Sequence, residues 1–200
     1  MSTATASRTV VKATPQDLPQ VAETLGHAFF DDPVMSWCYP DADRRAQLLT
    51  QGFGLLLDAA HPHGGVDTVP DLVSGAIWVP PGTELDEQLP VHLGEVSGEY
   101  AERLFTLFEL LDRHHPTHEP HQYLFVLGTR PGWQSRGLGS ALMRPVLADC
   151  DRNGVPAYLE ATTERNRDLY ARHGFEVQQV IKIPDGPPVW CMWRNPGGTV

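Results

Sequence analysis

The sequence lacks the features of several common protein classes. Only three of its 200 residues are cysteines, and no Cys-x-x-Cys pair occurs among Cys38, Cys150 and Cys191, so neither a disulfide framework nor a cysteine-rich zinc site is expected. No apolar run approaches the roughly 20 residues that a membrane helix needs, and residues 1–12 lack the apolar segment of a signal peptide. These absences predict a cytoplasmic location and no membrane partner.

Positive charge is also scarce. The chain has 15 lysines and arginines against 25 aspartates and glutamates, which gives a formal net charge of -10. An acidic protein repels the phosphate backbone, so nucleic acid is not expected as a partner. The negative field either keeps the protein in solution or favours a cationic substrate.

Composition and length fit one globular domain. The hydrophobic fraction is 41%, which is typical of a protein with a packed core, and 200 residues are enough to bury such a core. We find no internal repeat and no linker. We therefore predict one domain over residues 1–200, with about 8–195 ordered and short tails at both ends. The sequence leaves open whether the chain forms a homodimer.

Hydrophobic periodicity predicts a mixed α/β fold. Helix signals begin at Thr14, with Pro15 suited to the first helical position and Asp17 to the capping acid, and they end near Asp32-Pro33. The other predicted helices cover residues 44–60, part of 85–112, 137–153 and 165–173. The predicted strands cover residues 9–13, 66–69, 72–79, 123–129, 157–161, 175–183 and 189–193. Residues 123–129 are continuously apolar, which predicts a central strand buried on both faces.

A glycine-rich turn between a strand and a helix is the most informative motif. Residues 134–139 read Gln-Ser-Arg-Gly-Leu-Gly. The unpaired N–H groups and the dipole of the following helix favour the binding of a phosphate group at this turn. Gly137 and Gly139 allow the phosphate to approach the backbone closely. Arg136 adds a charged hydrogen-bond donor. The Gly-Lys-Ser/Thr ending of a Walker loop is missing, and Leu142 replaces the third glycine of the dinucleotide fingerprint. Taken alone, the pattern also fits a tight structural turn.

A second pattern lies further along the chain. Asn166 and Tyr170 are four residues apart, so they share one helix face, and Gly174-Phe175 ends that helix. Tyr170 is either a half-buried structural tyrosine or a proton donor. The second role is chemically reasonable because its ordinary pKa, near about 10, is close to that of a thiol, near about 8.5.

Glu160 stands near the end of the predicted strand that precedes this helix. A carboxylate beside a cleft can accept a proton from an ammonium group or orient an amine. Alternatively, it is a structural carboxylate paired with Arg165 or Arg167.

Together the two patterns resemble the acyl-CoA motif of GNAT N-acetyltransferases, in which Gln/Arg-x-x-Gly-x-Gly/Ala follows an apolar strand. The resemblance implies a mixed, mostly antiparallel sheet of about seven strands flanked by helices, with a V-shaped splay between the central strands. It implies acetyl-CoA as the cosubstrate and no metal. The pantetheine arm would pair with Leu127, Gly128 and Thr129. Turn amides would hold the pyrophosphate, and these belong to Gln134, Ser135, Arg136, Gly137, Leu138, Gly139 and Ser140.

The same resemblance assigns roles to the second pattern. Asn166 would hydrogen-bond a pantetheine amide, and Tyr170 would protonate the departing thiolate. The presence of Glu160 and Tyr170 favours an enzyme over a non-catalytic acyl-CoA sensor, which needs no proton-transfer groups. An acetyltransferase acting on a protein N-terminus or lysine also fits the motifs, and it would need a long open groove.

Part of the chain also resembles puromycin N-acetyltransferase-like members of that family, through residues 154–160, Asn166, Tyr170, 174–175 and 184–187. This narrower likeness implies a small primary amine as acceptor, in a class that includes aminonucleoside antibiotics. The sequence leaves open whether the role is antibiotic resistance, self-protection or metabolism. The candidate acceptor-site residues are Phe29, Asp32, Trp37, Tyr39 and Trp78. The two tryptophans also fit core positions.

Histidines cluster in one stretch, at His114, His115, His118 and His121. A metal site needs imidazoles that converge. Because Pro116 and Pro120 favour an extended chain, we expect these rings to diverge and to bind no metal.

Overall fold

A computed structural model describes residues 9–197 of the chain, and the predicted tail 1–7 and residues 198–200 lie outside them. Its strands form a seven-stranded sheet in the order β1-β2-β3-β4-β5-β7-β6. Neighbouring strands are antiparallel except for β4 and β5, which are parallel. The strands are β1 (Val11–Lys12), β2 (Val66–Thr68), β3 (Ser74–Val79), β4 (Gln122–Thr129), β5 (Ala157–Ala161), β6 (Glu176–Lys182) and β7 (Pro188–Arg194). The predicted mixed, mostly antiparallel sheet is confirmed.

Helices cover both faces of the sheet. They are α1 (Leu18–Ala28), α2 (Pro33–Cys38), α3 (Ala42–Ala60), α4 (Leu89–Ser97), α5 (Ala101–His114), α6 (Leu138–Asn153) and α7 (Glu164–Ala171). One core cluster lies mainly between the sheet and α1 to α5, and a second lies between the sheet and α6 and α7. Each amphipathic helix thus buries its apolar stripe against the sheet.

The helix α2 was not predicted, because Asp32-Pro33 was interpreted only as a helix end. In the structure the same pair also begins a helix. The Asp32 carboxylate accepts hydrogen bonds from the N–H groups of Val34 and Met35, at 2.9 and 3.1 Å. Pro33 occupies the first helical position, where it has no N–H to leave unpaired.

The start of α1 was also predicted too early. The first helical residue is Leu18, four positions after Thr14. The Asp17 carboxylate accepts from the Thr14 N–H and hydroxyl, at 2.8 and 2.7 Å. Asp17 therefore bonds to Thr14 as a capping acid would, but the turn that it stabilises lies before the first residue of the helix. The predicted helical segment 85–112 likewise divides into α4 and α5 at Gly98, whose φ is +55°.

The parting of β4 from β5 is the feature that shapes the functional region. Residues 122–124 of β4 pair with residues 157–159 of β5, and the pairing then ends. At the same point Leu124 lies opposite Trp78 of β3, whereas Val126 lies opposite Ile77, so that Phe125 is an extra, bulged residue. A bulge increases the local twist of a strand. The remaining part of β4 therefore leaves an open V beside β5, as the resemblance implied.

The β4 strand is less buried than its apolar sequence predicted. Leu124, Val126 and Gly128 are buried, while the alternate residues are only partly buried. The expected burial on both faces is therefore wrong. The physical reason is the opening itself, since one face of β4 contributes to cavities instead of packing against a helix.

An ion pair joins the far end of the sheet to α6. The Arg194 side chain is fully buried at the end of β7, and its Nη1 and Nη2 groups donate to the two Asp151 carboxylate oxygens at 2.7 and 2.8 Å. Its Nε donates to the His173 carbonyl at 2.8 Å. A bidentate pair of this kind fixes the position of α6 against the sheet.

We predict that Asp151→Ala destabilises the protein by about 3 kcal/mol, because it removes the carboxylate that forms a bidentate pair with a fully buried guanidinium. Urea unfolding followed by circular dichroism measures this loss. Asp149 lies on the same helix and pairs with Arg152 at the surface, so Asp149→Ala is the matched control, with an expected loss below about 1 kcal/mol. Equal losses in the two variants would contradict a special role for the buried pair.

Candidate active site

The first of two cavities lies between the end of β4, the start of α6 and one face of α7. Its volume is about 430 Å³, and its lining is largely polar. It is lined by ten of the residues that the resemblance assigned to the cosubstrate. They are Leu127, Gly128, Thr129, Gln134, Ser135, Gly137, Leu138, Gly139, Ser140 and Asn166.

The start of α6 presents backbone donors to this cavity. Gly137 precedes the helix with a φ of +81°, which a residue with a side chain rarely adopts. The first bond of α6 runs from the Ala141 N–H to the Gly137 carbonyl, at 3.0 Å. The preceding N–H groups have no acceptor within the helix and carry the positive end of its dipole. This arrangement suits a phosphate group.

The open edge of β4 supplies further backbone groups. The Arg130 N–H donates to the Val73 carbonyl of the chain segment before β3, at 2.9 Å. Backbone groups alternate in direction along an antiparallel strand. With this register, the N–H groups of Leu127 and Thr129 and the Leu127 carbonyl face the opening, where an extended ligand can pair with them as a strand would. The Thr129 carbonyl accepts a hydrogen bond from Gln134 Nε2 at 3.2 Å.

The glycine turn also fits a ligand sterically. A Cβ atom added at Gly139 would lie 3.6 Å from side-chain atoms of both Leu127 and Leu169. It would therefore occupy part of the space between β4 and α7. The polar cavity, the free amides and this gap together fit an elongated ligand that carries phosphate groups at one end.

One predicted residue, Arg136, does not line this cavity. Its guanidinium donates to the Gly132 carbonyl at 2.9 Å and stacks on the Trp133 ring at 4.7 Å from the centroid. Arg165 and Arg172 line the cavity instead, and Arg165 Nη2 donates to the Ser135 hydroxyl at 2.9 Å. The sequence pattern missed both arginines because they come from α7 and the residue after it, not from the glycine turn.

The second cavity is apolar and has a volume of about 120 Å³. Leucine, phenylalanine and valine side chains from the N-terminal helices and β4 form most of its wall. Four residues line both cavities, namely Phe29, Leu127, Asn166 and Tyr170. The two cavities therefore meet along the face of α7 that carries Asn166 and Tyr170, beside the point where β4 and β5 part.

Glu160 lines the apolar cavity near the end of β5. The Tyr123 hydroxyl donates to its Oε2 at 2.7 Å, and its buried Oε1 has no hydrogen-bond partner among residues 9–197. Burial raises the pKa of Glu160 to about 7, although the hydrogen bond from Tyr123 acts in the opposite direction. The predicted alternative, a carboxylate paired with an arginine, is not what the structure shows.

The two arginines considered for that pairing have other contacts. Arg165 bonds to the glycine turn, and Arg167 pairs with Asp168 at 2.9 Å. One oxygen of Glu160 is thus held by a tyrosine, while the other has no partner within the described chain. A buried carboxylate oxygen without a partner is unfavourable unless a ligand or a water molecule reaches it.

Tyr170 is buried in the wall that the two cavities share, and its hydroxyl has no hydrogen bond to another described residue. Burial raises the pKa of Tyr170, and the negative charge of Asp32 raises it further. The hydroxyl therefore stays protonated at neutral pH. The Asn166 side chain lines both cavities and likewise makes no hydrogen bond to the described chain.

The predicted acceptor-site residues divide into three groups. Phe29 and Tyr39 line the apolar cavity as expected. Asp32 lines the polar cavity, and its carboxylate is engaged by the start of α2 and by the Thr162 hydroxyl. Trp37 and Trp78 line neither cavity.

The two tryptophans have structural positions. Trp37 lies between Arg103, which stacks on its ring at 5.4 Å, and the turn at Gly186. Trp78 is 2% exposed and packs in the core beneath α6. The expectation that they contact the acceptor is therefore corrected in favour of the core alternative. Nothing in the sequence pattern distinguished an aromatic residue of the core from one of the cavity wall.

The histidine cluster behaves differently from the prediction. The Nε2 atoms of His115 and His121 lie 3.0 Å apart, so these two rings converge. The proline residues extend the chain between them, but the return of the chain into β4 brings His121 back beside the end of α5. Burial, and then His121, lower the pKa of His115. Within the described part of the chain no group of three or more possible metal ligands occurs.

Comparison with known proteins gives consistent matches. The model of the acetyltransferase (GNAT) family matches residues 98–175. An uncharacterized N-acetyltransferase of Schizosaccharomyces pombe is 29% identical over 199 residues, covering 90% of this chain and 81% of that protein. An acetyltransferase of Corynebacterium glutamicum, described as histone acetyltransferase HPA2 and related acetyltransferase, is 30% identical with a TM-score of 0.71, covering 96% of this chain and 98% of that one. A polyamine N-acetyltransferase of Drosophila melanogaster shares the fold at 17% identity and a TM-score of 0.60, covering 94% and 99%.

The splayed sheet and its matches define an acyltransferase. The chain belongs to the acetyltransferase (GNAT) family and is an N-acetyltransferase. Enzymes of this family use acetyl-CoA as cosubstrate. Within residues 9–197, no helix combines the length and apolar character needed to cross a membrane.

We predict that Glu160→Gln makes the protein more stable at pH 8 but not at pH 5. The pKa of this carboxyl group rises from 4.5 to about 7 on folding. The protonated carboxyl therefore favours the folded state below about pH 4.5, and this contribution is lost as the pH rises through 7. Glutamine stays neutral, so the gain at pH 8 should be on the order of 1–3 kcal/mol.

Thermal unfolding of both proteins between pH 5 and pH 8 measures this difference. The exposed Glu176 provides the control variant Glu176→Gln, for which we expect no pH-dependent gain. A stability difference for Glu160→Gln that is the same at both pH values would show that the carboxylate is not destabilised by burial.

Proposed function

We propose that this enzyme transfers the acetyl group of acetyl-CoA directly to the primary amine of a small molecule bound in the apolar cavity. The observation that carries the proposal is the junction of the two cavities at Tyr170 and Asn166. A ligand in the polar cavity and a ligand in the apolar cavity would meet there, beside Glu160. Reacting groups held together in this way need no further search in solution.

The polar cavity fits the cosubstrate. The free amides at the start of α6 would bind the pyrophosphate, and the open backbone groups of Leu127 and Thr129 would pair with the pantetheine arm. The Asn166 amide group would bond to the same arm. Acetyl-CoA, when bound, supplies the thioester carbonyl that the amine attacks, and an N–H of the open β4 edge would polarise that carbonyl.

Glu160 acts as the base or orients the amine. An alkylammonium group such as that of lysine has a pKa of about 10.4, so an ordinary carboxylate removes its proton poorly. The raised pKa of Glu160, about 7, narrows this difference and makes the group a stronger base. The carboxylate would receive the proton directly or through a water molecule.

Tyr170 acts as the proton donor to the departing sulfur. Its raised pKa keeps the hydroxyl protonated across the working pH range, which a donor requires. The same shift makes Tyr170 a weaker acid than a free tyrosine. It therefore first donates a hydrogen bond to the developing thiolate, and it transfers the proton as negative charge collects on sulfur.

The finer identity of the acceptor also belongs to this proposal. The likeness to puromycin N-acetyltransferase-like enzymes favours an aminonucleoside among the acceptors, and hence a role in resistance. The Corynebacterium relative is described as a histone acetyltransferase, which keeps a protein acceptor as the rival. The cavity favours the small molecule, because α2 to α5 enclose it instead of leaving a long groove. The three buried free thiols suit a cytoplasmic location.

We predict acetyl-CoA-dependent release of CoA with at least one small amine. The release of CoA is measured with a thiol reagent for each amine of a panel. The panel contains puromycin, alkylamines, polyamines, aminoglycosides, amino acids and a lysine peptide. Tyr170→Phe should lower kcat about 100-fold and change KM for the amine little, because the hydroxyl acts on the departing sulfur. Release with the peptide alone would favour the protein-modifying rival. Wild-type kcat in Tyr170→Phe would remove the proton-donor role.

We also predict a shift in the pH profile of Tyr123→Phe. The base must be deprotonated, so kcat/KM of the wild-type enzyme should fall as the pH drops through about 7. Removing the Tyr123 hydroxyl takes a hydrogen-bond donor from the carboxylate and so raises the pKa of Glu160. The acidic limb of the profile of kcat/KM against pH should therefore move up by about one pH unit. Tyr100→Phe, which removes the hydroxyl of a tyrosine that lines neither cavity, is the control. An unchanged limb in Tyr123→Phe would argue against Glu160 as the base.

A further inference from the structure

The charge and size of the apolar cavity restrict its ligand more narrowly than the proposed function does. We propose that the acceptor is a monoamine and that the part of it inside the apolar cavity is an uncharged apolar group about as large as one aromatic ring. The inference rests on the proposed function, because it assumes that the apolar cavity holds the amine. It excludes polyamines, agmatine-like guanidines and polyhydroxylated aminoglycosides as good substrates.

The distribution of charge in the wall supports a single amine. Among the described residues that line the cavity, Glu160 is the only one with a formally charged side chain. An ammonium group can bind there, next to the cavity junction. A second ammonium or guanidinium group elsewhere in the cavity would be buried without a counter-ion, which is strongly unfavourable.

The other polar groups of the wall are mostly engaged. The Tyr39 hydroxyl bonds to the Ser97 hydroxyl at 2.9 Å, and the Thr162 hydroxyl donates to Asp32. The Tyr123 hydroxyl is used by Glu160. Asn166 and Tyr170 are open, but they stand at the junction with the polar cavity. The remaining wall consists of apolar side chains and Gly52, so it offers a sugar hydroxyl few partners.

The volume of the cavity limits the size of the apolar group. An engineered apolar cavity of about 150 Å³ is large enough for benzene. The cavity here is somewhat smaller, about 120 Å³, so it accepts at most one ring or a branched alkyl group of similar size. Leu48 and Leu49 of α3 and Leu104 and Leu107 of α5 form part of this wall.

Gly52 offers a way to change the volume while keeping the fold. It lies on α3 in the cavity wall, and a Cβ atom there would be 3.9 Å from Leu93, an ordinary contact. Gly52→Ala therefore adds a methyl group to the wall without a clash. Gly54 lies on the same helix, outside the cavity, and a Cβ there would have no atom within 4 Å. Both substitutions favour the helix, so only Gly52→Ala should affect the ligand.

The test compares kcat/KM for amines of matched size with the wild-type enzyme. Hexylamine and 1,5-diaminopentane have the same number of heavy atoms, and phenethylamine supplies the ring. We expect hexylamine and phenethylamine to exceed 1,5-diaminopentane and kanamycin by at least about 100-fold. In Gly52→Ala, kcat/KM for phenethylamine should fall about 10-fold, while kcat/KM for the small amine propylamine stays near that of the wild type. In Gly54→Ala, kcat/KM for every amine should stay near that of the wild type.

The outcomes separate this inference from the proposed function. If the diamine or the aminoglycoside reacts as well as the monoamines, the monoamine assignment is overturned and the proposed function stands. If phenethylamine turnover is unaffected by Gly52→Ala, the apolar cavity does not hold the ring and the assignment is likewise overturned. If no amine of either panel releases CoA while acetyl-CoA still protects the protein against thermal unfolding, the proposed function itself fails.

Discussion

The parallel strands β4 and β5 pair over three residues each and then separate, and the functional region depends on this separation. Unpaired backbone groups inside a protein are unfavourable, so an open edge in the middle of a sheet needs a structural cause and a ligand. The bulge at Phe125 turns β4 away, while β5 remains paired with β7 along residues 157–161. One strand is thus held in place and the other diverges. The resulting gap exposes an edge that an extended cosubstrate can complete.

The same gap explains the electrostatics of the site. Glu160 lies just beyond the last β4–β5 pair, where it is surrounded by aromatic side chains and loses contact with water. This burial raises its pKa to about 7 and leaves one oxygen without a partner in the described chain. An ionised carboxylate in such a position weakens the fold, and the proton transfer that we propose for Glu160 would account for its presence. Under that proposal, stability and activity make opposite demands on this residue.

Local patterns predicted the parts of the site that lie close together in the chain. The glycine turn at 134–139 and the pair Asn166 and Tyr170 lie where the sequence placed them, because hydrogen-bonding geometry and helical spacing are local properties. The misassignments concern longer distances. Arg165 replaces Arg136 in the cavity wall, and Trp78 is a core residue. Amphipathic patterns show that a side chain is buried, but they do not show whether it packs against protein or against a cavity.

The sequence by itself determined the order of the strands and of most helices, the glycine turn before α6 and the spacing of the α7 residues. Each follows from interactions within a few residues of the chain. Only the tertiary structure decided where the sheet opens, that Tyr123 holds Glu160 across a separation of 37 residues, and that the four N-terminal helices α2 to α5 border an apolar cavity whose described lining includes one charged side chain. These properties depend on how distant segments pack, since burial and the resulting pKa shift exist only after the elements assemble.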